Sequence, residues 1–110
     1  MVINNKDFID HDKIATPIKI TMIYSLWISA HQWQRKPRFT QRRYKIIADY
    51  IQRKGYKQCN TVLRFLCSQD PHAKWLRQNR YTYFDNIFND IKWERRFTRA
   101  NKYFIKLNKQ

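Results

Sequence analysis

Apolar and polar positions alternate along this chain with helical periods, interrupted by short punctuating motifs. Thr16-Pro17 reads as an N-cap followed by proline at the first helical position, where a missing backbone donor costs nothing. Ile20, Ile23, Tyr24, Trp27 and Ile28 then recur at spacings of three and four, predicting a helix with one apolar stripe that runs to about Trp33. A strand can also be drawn through Ile18, Ile20, Met22, Tyr24, Leu26 and Ile28, but the cap and the length favour the helix. The segment is too short, and too interrupted by Lys19 and His31, to cross a bilayer. Its polar face also lacks the Lys and Arg of an interfacial helix, so core or partner packing is its expected role.

Gln34–Phe39 forms a basic linker stiffened by Pro37. Thr40 caps a second predicted helix with the stripe Tyr44, Ile47, Ala48 and Ile51, ending at Gly55, the only glycine and a suitable left-handed C-cap. Asn60 or Thr61 is placed to cap a short helix through Val62, Leu63, Phe65, Leu66 and Cys67, which Asp70-Pro71 ends while opening the next. In that next segment Lys74, Arg77 and Arg80 recur at intervals of three and predict a basic ridge. No proline or glycine follows Thr82. Phe84, Ile87, Phe88 and Ile91, then Trp93, Phe97, Ala100 and Phe104, mark a continuous helix of about 23 residues, roughly 35 Å long. Arg95, Arg99, Lys102 and Lys106 fall on one of its faces and Trp93, Phe97, Ala100 and Phe104 on another. The pattern therefore predicts a mainly α protein of four to five helices, the last one long, with basic linkers and an N-terminal extension.

Charge changes the picture most. Met1–His31 carries three lysines and three aspartates and is neutral, whereas Gln32–Gln110 holds the whole net charge of +15. On that basis residues 1–37 read as a neutral extension with one apolar helix and a basic linker, and residues 38–110 as a basic helical nucleic-acid-binding region. Uncompensated repulsion of this size in 110 residues implies a polyanionic partner. A merely soluble surface would interleave Glu with Lys, and Glu94 is the only glutamate. Aromatic residues sit among the charges (Tyr44, Tyr50, Tyr56, Phe65, Trp75, Tyr81, Tyr83, Trp93, Phe97 and Tyr103), a combination that suits base or sugar stacking beside phosphate contacts. Arg42, Arg43 and Lys45 crowd the start of their helix, where cations oppose the helix dipole at about 0.3–1 kcal/mol each, so an anion is expected there. Apolar content of 43% is enough for one core and argues against disorder throughout. Phe, Tyr, Met, Ile, Asn and Lys far outnumber Gly, Ala, Arg and Pro, which points to an AT-rich gene of an organelle, a phage or an AT-rich bacterium.

Catalytic chemistry finds little support in the sequence. Asp90-Ile91-Lys92 with Asp70 superficially resembles a carboxylate-and-lysine nuclease pattern, but that site requires a strand where the period is helical. Asp90 and Glu94 read instead as a solvated helical pair. His11, His31 and His72 have no nucleophile or carboxylate arranged with them and read as ordinary surface or core residues. A single glycine excludes a glycine-rich phosphate loop. Cys59 and Cys67 lack Cys-x-x-Cys spacing and read as half-buried thiols in a reducing compartment; with His72 they would be one ligand short of a metal site. Asp7, Asp10 and Asp12 are unlike a secretory or mitochondrial leader, so no cleaved presequence is expected. A helix-turn-helix with Gly55 at the turn would set its apolar places on Tyr50, Lys54, Tyr56, Thr61 and Arg64, three of them polar. That register fails, although Gln58 and Arg64 could reach base edges in another docking geometry.

Arg42-Arg43-Tyr44-Lys45-Ile46-Ile47-Ala48-Asp49-Tyr50-Ile51-Gln52-Arg53 resembles the N-terminal basic helix of small-subunit ribosomal protein fourteen. Arg77-Gln78-Asn79-Arg80 is similar to that family's Arg-x-Arg-Asn-Arg-Cys core, with Tyr81 at the cysteine position, and Arg95-Arg96-Phe97-Thr98-Arg99 lies at about the distance of its later Ser-Arg stretch. The Thr-Gly-Arg-Pro that follows the family's core has no counterpart here. The resemblance extends over about Arg38 to Phe104 and implies rRNA contacts by Arg42, Arg43, Arg77, Asn79, Arg80 and Arg99 in a small-subunit head. With the AT-rich bias it implies a mitochondrial, organelle-encoded ribosome, with bacterial cytoplasm as the alternative.

The sequence thus predicts a non-enzymatic structural RNA-binding protein without metal or cofactor, with neighbouring ribosomal proteins as partners and no membrane span. Its expected nucleic-acid contacts are Arg35, Lys36, Arg38, Arg42, Arg43, Lys45, Arg77, Asn79, Arg80, Arg95, Arg96 and Arg99. The alternative is a phage or plasmid nucleic-acid-binding regulator, or an inhibitor of a host nucleic-acid enzyme.

Overall fold

Local capping signals start most of the helices. The computed structural model describes residues 9–31 and 36–109, so Trp33 and Arg35 lie outside the described residues. A 3-10 turn (His11–Lys13) precedes α1 (Pro17–His31), α2 (Gln41–Lys54), α3 (Tyr56–Leu66), α4 (Pro71–Gln78), α5 (Phe84–Ile87) and α6 (Asp90–Asn108). The protein is mainly helical, and no strand occurs among the described residues. Thr16 accepts the Lys19 N–H at 3.3 Å, Thr40 accepts the Arg43 N–H at 3.2 Å, and Asp70 accepts the His72 and Ala73 N–H groups with Pro71 in the first turn.

α3 is the hub: it packs against α1, α2, α4 and α6. It buries Cys59, Val62, Leu63, Phe65 and Leu66. Around it lie Ile20, Ile23 and Trp27 of α1, Ile47 and Ile51 of α2, and Trp93 of α6, all essentially inaccessible. Although residues 1–37 are set apart by charge, α1 supplies six buried residues and is integral to the core. Phe65, Ala73 and Ala100 form a second cluster that joins α3 to α4 and to the middle of α6.

Two predicted boundaries are corrected. α3 begins at Tyr56, directly after Gly55, rather than at Asn60 or Thr61; Thr61 sits inside the helix, its hydroxyl bonded to the Lys57 carbonyl at 2.8 Å. The cap that permits this early start comes from the 3-10 turn, where Asp12 Oδ1 accepts the Lys57 N–H at 2.9 Å. The continuous helix expected from Thr82 is instead α5 and α6, making six α-helices among the described residues. Phe88 leaves helical geometry (ψ 72°), and Asn89 caps α6 by accepting the Ile91 and Lys92 N–H groups. The break turns Phe84, Ile87 and Phe88 into the core beside Trp27, Tyr50 and Trp93.

Gly55 does end α2, donating to the Ile51 carbonyl at 2.9 Å, but with φ 89° and ψ 149° it lies outside the left-handed helical region, in territory reserved for glycine. A Cβ there would also collide with the Asp12 carboxylate. Gly55→Ala is therefore expected to cost about 1–3 kcal/mol from backbone strain, with the steric collision adding to it. Asp12→Ala should cost about 0.5–2 kcal/mol through the lost cap. A double-mutant cycle by denaturant unfolding checks the contact: the double variant should be less unstable than the two single losses added together, because removing the carboxylate relieves the clash.

Candidate nucleic-acid interface

The acidic side chains decide which cations are free. Of the eight in the sequence, Asp7 lies outside the described residues, and the other seven are all engaged within the protein. Asp10, Asp12 and Asp70 accept backbone N–H groups. Asp49 pairs with Arg53 at 2.8 Å, Asp85 with Arg42 at 3.0 Å, Asp90 with Arg53 at 3.1 Å and Glu94 with Lys54 at 2.9 Å. Every cation in these pairs belongs to α2. Tyr50 adds a hydrogen bond to Asp90 at 2.7 Å, and with Arg53 it holds that carboxyl below the usual range, while burial and Asp90 push the Tyr50 hydroxyl up.

This arrangement redistributes the residues predicted to bind nucleic acid. Arg35 lies outside the described residues, while Lys36, Arg38 and Lys45 are exposed. The anion expected at the start of α2 is Asp85, which takes Arg42. Arg43 lies over the Trp27 and Phe84 rings, 5.1 and 5.6 Å from their centroids, and donates to the Arg38 carbonyl at 2.8 Å, so its charge is held in the fold. Arg77 donates to the Leu66 carbonyl at the end of α3, and Asn79 donates to the Trp75 carbonyl at 2.8 Å. The basic ridge Lys74, Arg77 and Arg80 does not form, because α4 ends at Gln78. Arg80 instead takes φ 61°, the only positive φ outside glycine among the described residues. Its N–H bonds the Arg77 carbonyl at 3.2 Å and the next N–H, of Tyr81, bonds that of Leu76 at 2.8 Å. This is a Schellman termination with arginine where glycine is usual.

α6 keeps its predicted division. Trp93 and Ala100 are buried and Phe97 and Phe104 are half-buried on the core side. Arg95, Arg99, Lys102 and Lys106 line a cleft of about 810 Å³ between α6 and the Asp70–Pro71 start of α4. None of the four has an ion-pair partner among the described residues, and Asp70, the one carboxylate on the lining, is committed to its cap. A second cleft of about 350 Å³ opens on the same side and shares Arg95 and Arg99 with the first. Arg96 also lines it, half-buried, its Nε inaccessible and without an acceptor. Burial, with Arg95 close by, lowers its pKa. The rings Trp75 and Tyr81 stack at 5.2 Å and 19° on this cleft, with His72 nearly parallel to Trp75 at 6.1 Å. Trp75 and Tyr81 remain 49% and 46% exposed, so the stack is a surface rather than core. Trp75 and Tyr81 were legible as aromatics among charges, but their stacking depends on the chain reversal at Arg80.

Away from these clefts, His31 is buried against Trp27, its Nδ1 donating to the Thr82 carbonyl at 3.0 Å; that carbonyl also takes the Trp27 indole N–H at 2.8 Å. Burial chiefly, and Arg43 in addition, lower the pKa of His31. Burial pushes the Cys59 thiol up to about 12 and raises that of Cys67, leaving both as unreactive thiols. No group of three or more His, Cys, Asp or Glu side chains gathers to hold a metal among the described residues, and none of their helices is long and apolar enough to cross a membrane. No known protein family, curated protein or solved structure matches the chain.

Two outcomes are expected. Because Arg80 adopts a left-handed conformation that costs a non-glycine residue about 1–2 kcal/mol, Arg80→Gly should raise the melting temperature, read by thermal circular dichroism. Because the folded state disfavours protonated His31, the unfolded chain takes up the proton first as pH falls below about 6.5, and stability declines until the lower folded pKa is passed. His72, also lowered by burial first and then by Arg99, acts in the same direction. Melting at about pH 7.5 and 5.5 should therefore show a loss on acidification that is smaller in His31→Gln.

Proposed function

We propose that this chain is a non-enzymatic RNA-binding protein of a ribonucleoprotein particle, in keeping with the small ribosomal subunit, of a mitochondrion or a bacterium, that its basic motifs resemble. The observation that carries this reading is the cleft in which Arg95, Arg99, Lys102 and Lys106 stand without ion-pair partners among the described residues while acidic side chains neutralise cations on α2. Cations left unpaired in a concave site concentrate positive potential and gain most from a polyanion. Their placement favours RNA over duplex DNA. A helix that reads the major groove must stand proud of its neighbours, whereas this face of α6 is backed by α4 into a cleft, suited to an irregular backbone entering it.

The contacts therefore shift toward the C-terminal half of the chain. Arg95, Arg96 and Arg99 remain from the predicted set and Lys102 and Lys106 join them, while Arg42, Arg43, Arg77 and Asn79 serve mainly the fold.

Binding of a labelled RNA, followed by anisotropy at several salt concentrations, tests the proposal. Affinity should fall steeply with salt, and Arg95→Gln with Arg99→Gln should flatten the log–log slope by roughly 1.4, about 0.7 per single-strand phosphate contact, while leaving the melting temperature nearly unchanged. A salt-independent interaction would refute electrostatic RNA binding. Tighter binding to duplex DNA than to RNA would favour the regulator instead.

A further inference from the structure

The smaller cleft differs in chemistry from the larger one. Its rim carries the Trp75–Tyr81 stack, both rings about half-exposed. Its polar side chains are predominantly donors. Arg95, Arg96 and Arg99 contribute guanidinium groups, and Lys92 is the only ammonium, with its Nζ 2.5 Å from Asn86 Oδ1. That contact occupies the one amide oxygen on the lining, and no carboxylate lines the cleft. The Arg96 Nε is a buried donor with nothing to donate to. Such a site suits a flat ring bearing several acceptors, attached to an anion.

Resting on the RNA-binding reading above, we infer that the cleft beside Trp75, Tyr81 and Arg96 receives an unpaired nucleobase, whose backbone continues over Arg95 and Arg99 into the larger cationic cleft. The two clefts share those arginines, so one strand can occupy both without leaving the protein. Along α6 the path from Lys92 to Lys106 covers about 21 Å at the helical rise, room for several nucleotides of extended chain. A base within a duplex cannot expose its face to the stack, so the preferred substrate class is single-stranded RNA, or a loop or bulge.

Three probes separate the contributions: an unstructured RNA of about 12 nucleotides, a blunt RNA duplex of the same length, and inorganic polyphosphate. Bound to the full chain, the single strand should quench tryptophan emission and bind more tightly than the other two. Trp75→Leu should reduce the quench and weaken single-strand binding about tenfold, with duplex and polyphosphate affinities and the salt slope unchanged. Tyr81→Ser, at a second exposed ring, gives an independent reading should Trp75→Leu perturb the fold by circular dichroism. If the single strand binds but neither substitution changes its affinity, or if the duplex competes equally, the base slot is refuted while RNA binding stands. If none of the probes binds, the functional reading itself fails and takes this inference with it.

Discussion

Each end of α3 is met by one charged side chain from elsewhere in the chain, and the architecture depends on that arrangement. A helix at the centre of a core leaves unpaired N–H groups at its start and carbonyls at its end, with a dipole positive at the first and negative at the second. Here the Asp12 carboxylate meets the start and the Arg77 guanidinium the end. Each terminus thus receives both a hydrogen bond and the complementary charge. The arrangement fastens the 3-10 turn and α4 to the same central rod, and it explains why the connection to α2 can be one residue long. Gly55 alone suits that connection, since it must take a backbone geometry closed to other residues and leave room for the carboxylate passing over it.

A second constraint follows from the shortage of acid. With so few carboxylates, where each one goes determines the surface. Of the seven among the described residues, three are fixed at backbone N–H groups, and the other four hold α2 to itself, to α5 and to the first turns of α6. These exposed pairs contribute little stability singly. Their larger effect is on what remains: the second half of α6 has many cations, an apolar underside and no acid. The same helix is structural at its beginning, where Trp93 is buried and its indole N–H meets Gln58 at 2.7 Å, and open toward its end.

The parts of the fold legible in the sequence are those decided by neighbouring residues. Thr16, Thr40 and Asp70 cap within three residues of themselves, and Gly55 and the two faces of α6 follow from spacing alone. What was hidden depended on distance. Nothing near Tyr56 announces a helix start, because the cap lies 45 residues away. Asn89 before Asp90 is a recognisable cap, but the apolar period runs across it and masks the break. For the candidate site, the density of arginine was plain, whereas the division between structural and available arginines was not. Arg42, Arg43 and Arg77 look like Arg95 and Arg99 until Asp85, the Trp27 ring and the Leu66 carbonyl are seen beside them.

The ion pairs of α2 also shape how charge is distributed: they consume Asp49, Asp85, Asp90 and Glu94, while Arg95, Arg99, Lys102 and Lys106 of α6 keep no ion-pair partner among the described residues. An uneven charge distribution of this kind experiences a torque in an external field, so a polyanion, were one to approach, would favour orientations that bring the α6 cations toward it. Steering of this kind in general raises association rates with an oppositely charged partner and fades as salt screens it. The ion pairs on α2 therefore act on more than their own contacts: by cancelling charge there, they leave the cations of α6 a larger share of the field that any charged partner would meet.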